Sequence, residues 1–280
     1  MTIEELRKIG HVQLDIMDEI HRICETEKIT YYIIAGTLLG AVRHGGFIPW
    51  DLDIDIGMQR EDYERFKEAC AKHLSAPYAY LDHENCRCFP RPHALISRTD
   101  TQVVVKYDLK NPMLMNLGIY VDVFPLDNAP DDLSLRKKQA KALLKIRKFK
   151  SYRIPYSYSR KTWKRYAHYL VSFLLSWIPV RVVNWYQQNQ MKKYRFKNST
   201  HICSMASQYA YEKQCMPREI YGTPVLLEFE GRKYYAPEKY KEYLRRLYGN
   251  YMQLPPEEKR QANLSYYTYV KFPEESAAEE

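Results

Sequence analysis

Residues 33–57, IIAGTLLGAVRHGGFIPWDLDIDIG, contain the most informative pattern in the chain. Asp51, Asp53 and Asp55 alternate with apolar residues, so a strand over 52–57 would carry three carboxylates on one face. Like charges at that spacing repel one another unless a cation lies among them, and hard divalent ions take oxygen ligands. A solvent-facing edge strand is the alternative, but Asp is depleted in ordinary strands. We therefore predict a site for Mg²⁺ or Mn²⁺.

A small-residue turn precedes this acidic segment. The apolar run before Gly36 predicts a buried strand that enters a turn at Gly36 and Thr37 and continues into a short helix. Backbone N–H groups at such a helix start bind anions. Arg43 matches phosphate oxygens in a bidentate way, and His44 either contacts substrate or interacts with the helix dipole. The pattern predicts a phosphate site formed by these four residues.

A second acidic strand is predicted over 119–124. Asp122 alternates with Val121 and Val123, so its carboxylate leaves the strand on the opposite side from the valines. Placed beside the first strand, it would complete a three-carboxylate site with Asp53 and Asp55. The alternatives are an Asp on an exposed edge strand or one paired with a basic residue. Asp127 is predicted to shape a turn.

A phosphate-binding turn followed by an Asp-x-Asp strand is the layout of the nucleotidyltransferase fold. Together with GTLLGAVRHGGFIPWD, this stretch resembles the LicD family, which includes bacterial phosphocholine transferases and fukutin-like relatives. Residues 118–127 and 234–259 resemble two further blocks of that family. The chain departs from the pattern at Leu52 and Asn250, where Asp is usual, and lacks a His near residues 262–263.

The resemblance implies a metal-dependent transferase that moves a phospho-alcohol, most often phosphocholine, from a CDP-alcohol such as CDP-choline to a glycan hydroxyl. The acceptor would be a cell-envelope glycan such as lipopolysaccharide or teichoic acid, either free or lipid-linked, and CMP would be released. Asp53, Asp55 and Asp122 would be catalytic, and with Asp51 they would bind metal. Two alternatives stay open: a nucleotidyltransferase that modifies a small molecule or protein, and an inactive membrane-docking scaffold.

Composition restricts the class of protein. The chain has 280 residues, 45% of them hydrophobic, which is typical of a folded globular protein. The N-terminus begins with a capping-box pattern rather than a basic and apolar leader, so we expect a cytoplasmic protein, peripheral at the inner face of the membrane. Six dispersed cysteines are expected to be free thiols.

The positive charge is concentrated in one central segment. Residues 131–200 contain 18 Lys or Arg against two acidic residues, a balance of +16, so the rest of the chain sums to 9 − 16 = −7. Tyr and Trp are interspersed among these basic residues. A solvated helical subdomain, contact with an anionic membrane and nucleic-acid binding are the three interpretations. The three combine in a core-packed helix pair whose basic rim, within residues 131–200, faces either an anionic membrane or a polyanionic acceptor. We predict no nucleic-acid partner, because no nucleic-acid-binding module is present.

The predicted fold class is α+β: a nucleotidyltransferase-like mixed β-sheet flanked by helices, with a basic, aromatic-rich helical insertion. The predicted divisions are a catalytic core (1–130), the basic helical subdomain (131–200), a C-terminal part that packs on the core (201–272) and a disordered acidic tail (273–280). The predicted elements are helices over 3–26, 37–44, 60–74 and 237–248, strands over 31–35, 52–57, 78–81, 94–98, 101–106 and 119–124, and a hairpin over 226–235.

Overall fold

The computed structural model describes residues 3–86, 89–105, 117–153, 170–175, 177–260 and 267–273. The chain forms two compact units, one from residues 1–81, 94–124 and 219–280 and the other from 82–93 and 125–218. The predicted acidic tail beyond residue 273, and residues 154–169 and 176 of the predicted basic subdomain, lie outside the described residues. The domain boundaries drawn from the sequence stay a prediction.

Helices and strands alternate along the chain without a simple repeat. In chain order they are α1 (Ile3–Glu27), β1 (Tyr32–Ile33), α2 (Ala35–His44), β2 (Asp55–Gln59), α3 (Arg60–His73), β3 (Tyr78–Leu81), β4 (Ala94–Arg98), β5 (Gln102–Val105), β6 (Ile119–Ala129), α4 (Leu133–Arg153), α5 (Val180–Met191), β7 (His201–Cys203), α6 (Tyr211–Gln214), β8 (Cys215–Pro217), β9 (Val225–Phe229), β10 (Arg232–Ala236), α7 (Tyr240–Tyr248) and β11 (Tyr267–Lys271). Residues 170–175 are also helical.

The first unit is built on a mixed sheet with strand order β1-β2-β6-β4-β3. The β1–β2, β4–β6 and β3–β4 pairs are antiparallel. Helix α1 packs on β4, and α2 and α3 pack on β2. The β9–β10 hairpin and the β5–β11 pair form two further antiparallel ribbons. The predicted α+β class, a mixed sheet flanked by helices, is therefore confirmed.

The core of this unit follows from the hydrophobic periodicity of its elements. Ile16, Ile20 and Ile23 recur along one face of α1 and are fully buried. Val121 and Val123 alternate along β6 and are also fully buried. These residues account for the orientation of the central strand, which turns its valines into the core.

The second unit contains the end of β6, paired with β7, and β8, paired with β7. Asp127 was predicted to shape a turn, and that prediction is wrong: it lies within β6, opposite Cys203, and is buried. Helices α4 and α5 pack together around Leu143, Ile146 and Val183. Within the part of the chain that the structure describes, no helix is long and apolar enough to cross a membrane.

Several predicted boundaries need correction. Strand β1 covers Tyr32–Ile33 rather than 31–35, and β6 ends at Ala129 rather than at residue 124. Strand β2 begins at Asp55 rather than at residue 52, and Asp51, which precedes it, forms an isolated bridge with Ile48. Helix α2 begins at Ala35, two residues before the predicted start. Helix α7 begins at Tyr240, three residues after the predicted start. The predicted hairpin between β9 and β10 is confirmed.

Candidate active site

The site begins at the N-terminus of α2, where the chain leaves β1. Ala35 has a backbone φ of +47°, in the left-handed region that residues other than glycine rarely adopt. Its N–H donates to the Tyr243 hydroxyl at 3.4 Å. One residue earlier, the Ile34 N–H donates to the Asp55 carbonyl at 3.0 Å. The backbone is therefore fixed by α7 and by the acidic segment as it enters the helix.

Thr37 connects this helix start directly to the acidic segment. Its buried hydroxyl accepts a hydrogen bond from the Asp55 N–H at 2.8 Å and donates to the Asp53 carbonyl at 3.3 Å. These two bonds hold the backbone at residues 53 and 55, beside the backbone hydrogen bonds that the Ile54 and Asp55 carbonyls accept. The Thr37 side chain, predicted to contact phosphate, therefore also fixes the backbone of the acidic segment.

Gly36 leaves room for Asp51. A Cβ atom at position 36 would lie 2.9 Å from Asp51 Oδ2, closer than real Cβ contacts. The Asp51 carboxylate is therefore packed against the first turn of α2. Since the partial positive charge of a helix N-terminus favours a nearby anion, this position suits a carboxylate.

Asp122 reaches the same place from the central strand. Its N–H donates to the Ile54 carbonyl at 3.0 Å, so β6 lies directly beside the acidic segment. Asp122 is buried, as expected for a residue in the middle of the sheet.

The four carboxylates influence one another. Asp53 keeps partial exposure as a residue, yet its pKa is raised well above the ordinary value. Burial of its carboxyl group is the largest cause, followed by the negative charges of Asp55 and Asp51. A hydrogen bond with Asp51 and the charge of Asp122 raise it further. Although the strand alternation behind the prediction was wrong, the structure does bring these four acidic residues together.

The chemistry of this cluster fits a hard divalent cation, because every donor is a carboxylate oxygen and the neighbouring negative charges oppose ionisation of Asp53. As the side chains stand, no group of three or more His, Cys, Asp or Glu residues within the described ranges is arranged to hold a metal ion. The predicted metal ligands therefore stay a prediction supported by proximity and donor type.

Arg43 and His44, predicted to bind phosphate, lie at the other end of α2. Arg43 Nη1 donates to the Tyr251 carbonyl at 2.9 Å, and its guanidinium carbon lies 5.9 Å from the centre of the Trp50 ring. The His44 ring meets Trp50 edge-on at 5.9 Å. Burial lowers the pKa of Arg43, and burial together with the Arg43 charge lowers that of His44. Both residues thus have structural contacts beside the role predicted for them.

Sequence reasoning did not single out the residues that hold the loop before the acidic segment. The turn residue Glu230, at a φ of +51°, donates its N–H to the Gly45 carbonyl at 2.9 Å. Its Oε1 accepts from the Phe47 N–H at 2.8 Å. Phe47 also packs edge-on against Phe229, with 4.9 Å between ring centres. The predicted hairpin over 226–235 was the only sequence signal for this contact.

Together these features define an α+β protein whose carboxylate cluster lies at a helix N-terminus. Residues 28–126 match the family described as LicD/FKTN/FKRP, nucleotidyltransferase domain. The chain is 32% identical to lipopolysaccharide cholinephosphotransferase LicD of Haemophilus influenzae over 271 residues, which cover 95% of this chain and 98% of that protein. The chain belongs to the LicD family.

Two other proteins match shorter parts of the chain. An uncharacterised protein of Rickettsia typhi is 44% identical over 66 residues, 24% of this chain and 21% of that protein. Human ribitol 5-phosphate transferase FKRP is 48% identical over 40 residues, 14% of this chain and 8% of that protein. Those two matches cover only part of the chain, whereas the resemblance to the Haemophilus protein extends over nearly all of it.

Proposed function

We propose that this protein is a metal-dependent transferase that moves phosphocholine from CDP-choline to a sugar hydroxyl of a cell-envelope glycan, with release of CMP. The observation that carries the proposal is the 32% identity to a lipopolysaccharide cholinephosphotransferase over 98% of that relative. Similarity that extends over both units favours the same kind of reaction over a shared fold alone.

The carboxylate cluster beside the start of α2 supports the proposal. Asp51, Asp53, Asp55 and Asp122 would hold Mg²⁺ or Mn²⁺, which when bound neutralises negative charge on a diphosphate. Burial and then the charges of Asp55, Asp51 and Asp122 raise the pKa of Asp53, so a bound cation would offset the cost of its ionisation.

In the proposed step, the acceptor hydroxyl oxygen attacks the phosphorus that carries choline. A new oxygen–phosphorus bond forms, the bond from that phosphorus to the bridging oxygen breaks, and CMP leaves with the electron pair. Asp122 would accept the hydroxyl proton, since a buried carboxylate beside the reacting group can act as a general base. The N–H groups of Gly36 and Thr37, in the first turn of α2, would hold phosphate oxygens.

The donor alcohol has one rival. The local 48% identity to ribitol 5-phosphate transferase favours a reaction in which CDP-ribitol replaces CDP-choline. That match covers 14% of the chain, so the choline donor takes precedence.

Binding and product assays test the proposal. Thermal stabilisation would be measured with CDP-choline, CDP-ethanolamine, CDP-ribitol, CDP-glycerol and the nucleoside triphosphates, with and without Mg²⁺. We expect a Mg²⁺-dependent shift with CDP-choline and release of CMP when glycan acceptor is added. Asp53→Asn should abolish CMP release, whereas Glu228→Gln, an exposed change on β9, should not.

Two outcomes would reject the proposal. Stabilisation by a triphosphate alone, with release of pyrophosphate, would identify a nucleotidyltransferase. Full cellular function in the Asp53→Asn variant, with no nucleotide binding by the wild type, would identify a scaffold. We infer that the protein acts in the cytoplasm, at the inner face of the membrane where its glycan acceptor is assembled.

A further inference from the structure

The second unit exposes an unusual amount of apolar surface in one short stretch. Among the described residues, 18 large hydrophobic side chains are exposed, and ten of them fall within residues 170–196. They are Leu170, Val171, Phe173, Leu174, Trp177, Ile178, Val182, Trp185, Tyr186 and Phe196. We refer to these ten side chains as the aromatic surface. Apolar exposure concentrated in one stretch of the chain is typical of an interaction site.

Helix α5 shows that this exposure is organised. Val183, Asn184, Gln187, Gln188 and Met191 are buried on one side of the helix. The opposite side exposes Arg181, Val182, Trp185 and Tyr186. The buried and exposed residues alternate with the period of an α-helix. The aromatic side chains therefore belong to the regular outer face of α5.

The buried side of α5 is fully occupied by the second unit itself. Lys150 Nζ donates to Asn184 Oδ1 at 2.7 Å and to Gln187 Oε1 at 2.5 Å, and Gln139 Nε2 donates to the Gln190 carbonyl at 2.8 Å. Helix α4 therefore fixes the orientation of α5, and the aromatic face is held outward.

The positive charge around the aromatic surface indicates what kind of ligand it binds. From residue 133 to residue 211 the chain has 18 Lys or Arg and no Asp or Glu. Lys193, Arg195 and Lys197 are exposed beside Phe196, whose ring lies 4.3 Å from the Arg195 guanidinium carbon. The outer face of α4 adds a further row of exposed basic residues: Lys137, Lys138, Lys141, Lys145, Arg147 and Lys148.

We propose that the aromatic surface docks on an anionic lipid bilayer. Trp and Tyr are suited to the level of the lipid headgroups, where an apolar ring and a polar edge are both accommodated. Surrounding Lys and Arg attract acidic lipids and keep their charges among the headgroups while their stems lie against apolar surface. In this proposal the contact is peripheral: the apolar side chains enter the headgroup region and the basic side chains stay at the lipid surface.

Co-sedimentation of the full chain with vesicles tests this proposal. Vesicles of phosphatidylcholine alone are compared with vesicles that contain a third of phosphatidylglycerol, in 0.1 M and 1 M NaCl. We expect binding to the anionic vesicles only, weakened at high salt because the screening length falls from about 10 Å to about 3 Å. Tryptophan emission should shift to shorter wavelength on binding.

Variants separate the two contributions. Arg181→Gln and Lys193→Gln should each weaken binding about fivefold, the factor expected for one basic residue near the surface. The double change Trp177→Ser and Trp185→Ser should weaken it about tenfold or more, and Phe at both positions should retain most of it. Leu226→Ser and Lys233→Gln, exposed changes on the first unit, are the matched controls and should leave binding unchanged. Circular dichroism and the melting temperature verify that each variant is folded.

Three results would overturn the proposal. The first is equal sedimentation with and without phosphatidylglycerol. The second is binding that the tryptophan changes do not affect and that single-stranded RNA competes away, which would identify a nucleic acid as the ligand. The third is concentration-dependent dimerisation that the double tryptophan change abolishes while vesicle binding is absent, which would identify a second copy of this chain.

Discussion

Thr37→Val tests whether one hydroxyl fixes the backbone of the acidic segment. Valine has nearly the same shape as threonine, but it removes the acceptor of the Asp55 N–H at 2.8 Å and the donor to the Asp53 carbonyl at 3.3 Å. Since Thr37 is 2% exposed, water cannot replace the hydroxyl without rearrangement. A buried donor that loses its acceptor costs about 1–3 kcal/mol, and the longer bond contributes about 1 kcal/mol.

We therefore expect Thr37→Val to lower the free energy of unfolding by about 2–4 kcal/mol. Thr37→Ser is the control, because it keeps the hydroxyl and loses one methyl group, worth about 1 kcal/mol. Urea denaturation gives the global difference. Hydrogen exchange of the Asp55 amide gives the local one, and about 2 kcal/mol corresponds to roughly thirtyfold faster exchange.

The reasoning fails if Thr37→Val is as stable as Thr37→Ser. It also fails if the Asp55 amide exchanges at the wild-type rate in the valine variant. A third readout is the activity assay: Thr37→Val should reduce CMP release more than its loss of stability explains, because the acidic backbone moves.

Two further sets of variants test packing and charge. Gly36→Ala should leave stability in urea nearly unchanged, because only the flexible Asp51 carboxylate must move, yet it should reduce CMP release. Gly118→Ala would place a Cβ 1.8 Å from a backbone carbonyl of β4, so it should lower the free energy of unfolding by about 1–3 kcal/mol or prevent folding. Equal melting temperatures for the two alanine variants would contradict this difference. Hydrogen bonds, of which the one with His201 has the largest effect, lower the pKa of Asp131 in the folded protein. The Asp131 charge therefore stabilises the fold above the pKa of the unfolded state, about 4, and this stabilisation is lost as the pH falls below that value. Asp131→Asn should therefore be less stable than wild type at pH 7, and urea midpoints at pH 3 should differ less than at pH 7; an unchanged difference would refute the linkage.

The sequence predicted much of the fold because local periodicity determines most elements. The hydrophobic repeat of α1, the alternation over β6 and the turn between β9 and β10 all depend on neighbouring residues. The class of the fold followed from these patterns, whereas the grouping of Asp53 and Asp55 with Asp122 was predicted from a strand that in the structure begins only at Asp55.

What the sequence did not predict depends on contacts between distant residues. Alternation predicted a strand from residue 52, but β2 begins only at Asp55, whose N–H donates to the hydroxyl of Thr37. Asn128, Ala129 and Pro130 favour a turn locally, yet pairing of β6 with β7 extends the strand through Asp127. In both cases a tertiary hydrogen bond overrode a local preference.

The hydrogen bonds between Glu230 and the loop before the acidic segment have a consequence for the design of truncated forms of the protein. The stretch matched to the family profile ends at residue 126 and omits Glu230, Tyr243 and Tyr251. Those residues hold the Gly45 carbonyl, the Ala35 amide and the Arg43 guanidinium. A fragment trimmed to the matched boundaries would keep every acidic residue of the cluster and lose the supports around it. The smallest transplantable version of this site therefore includes sequence from both ends of the chain.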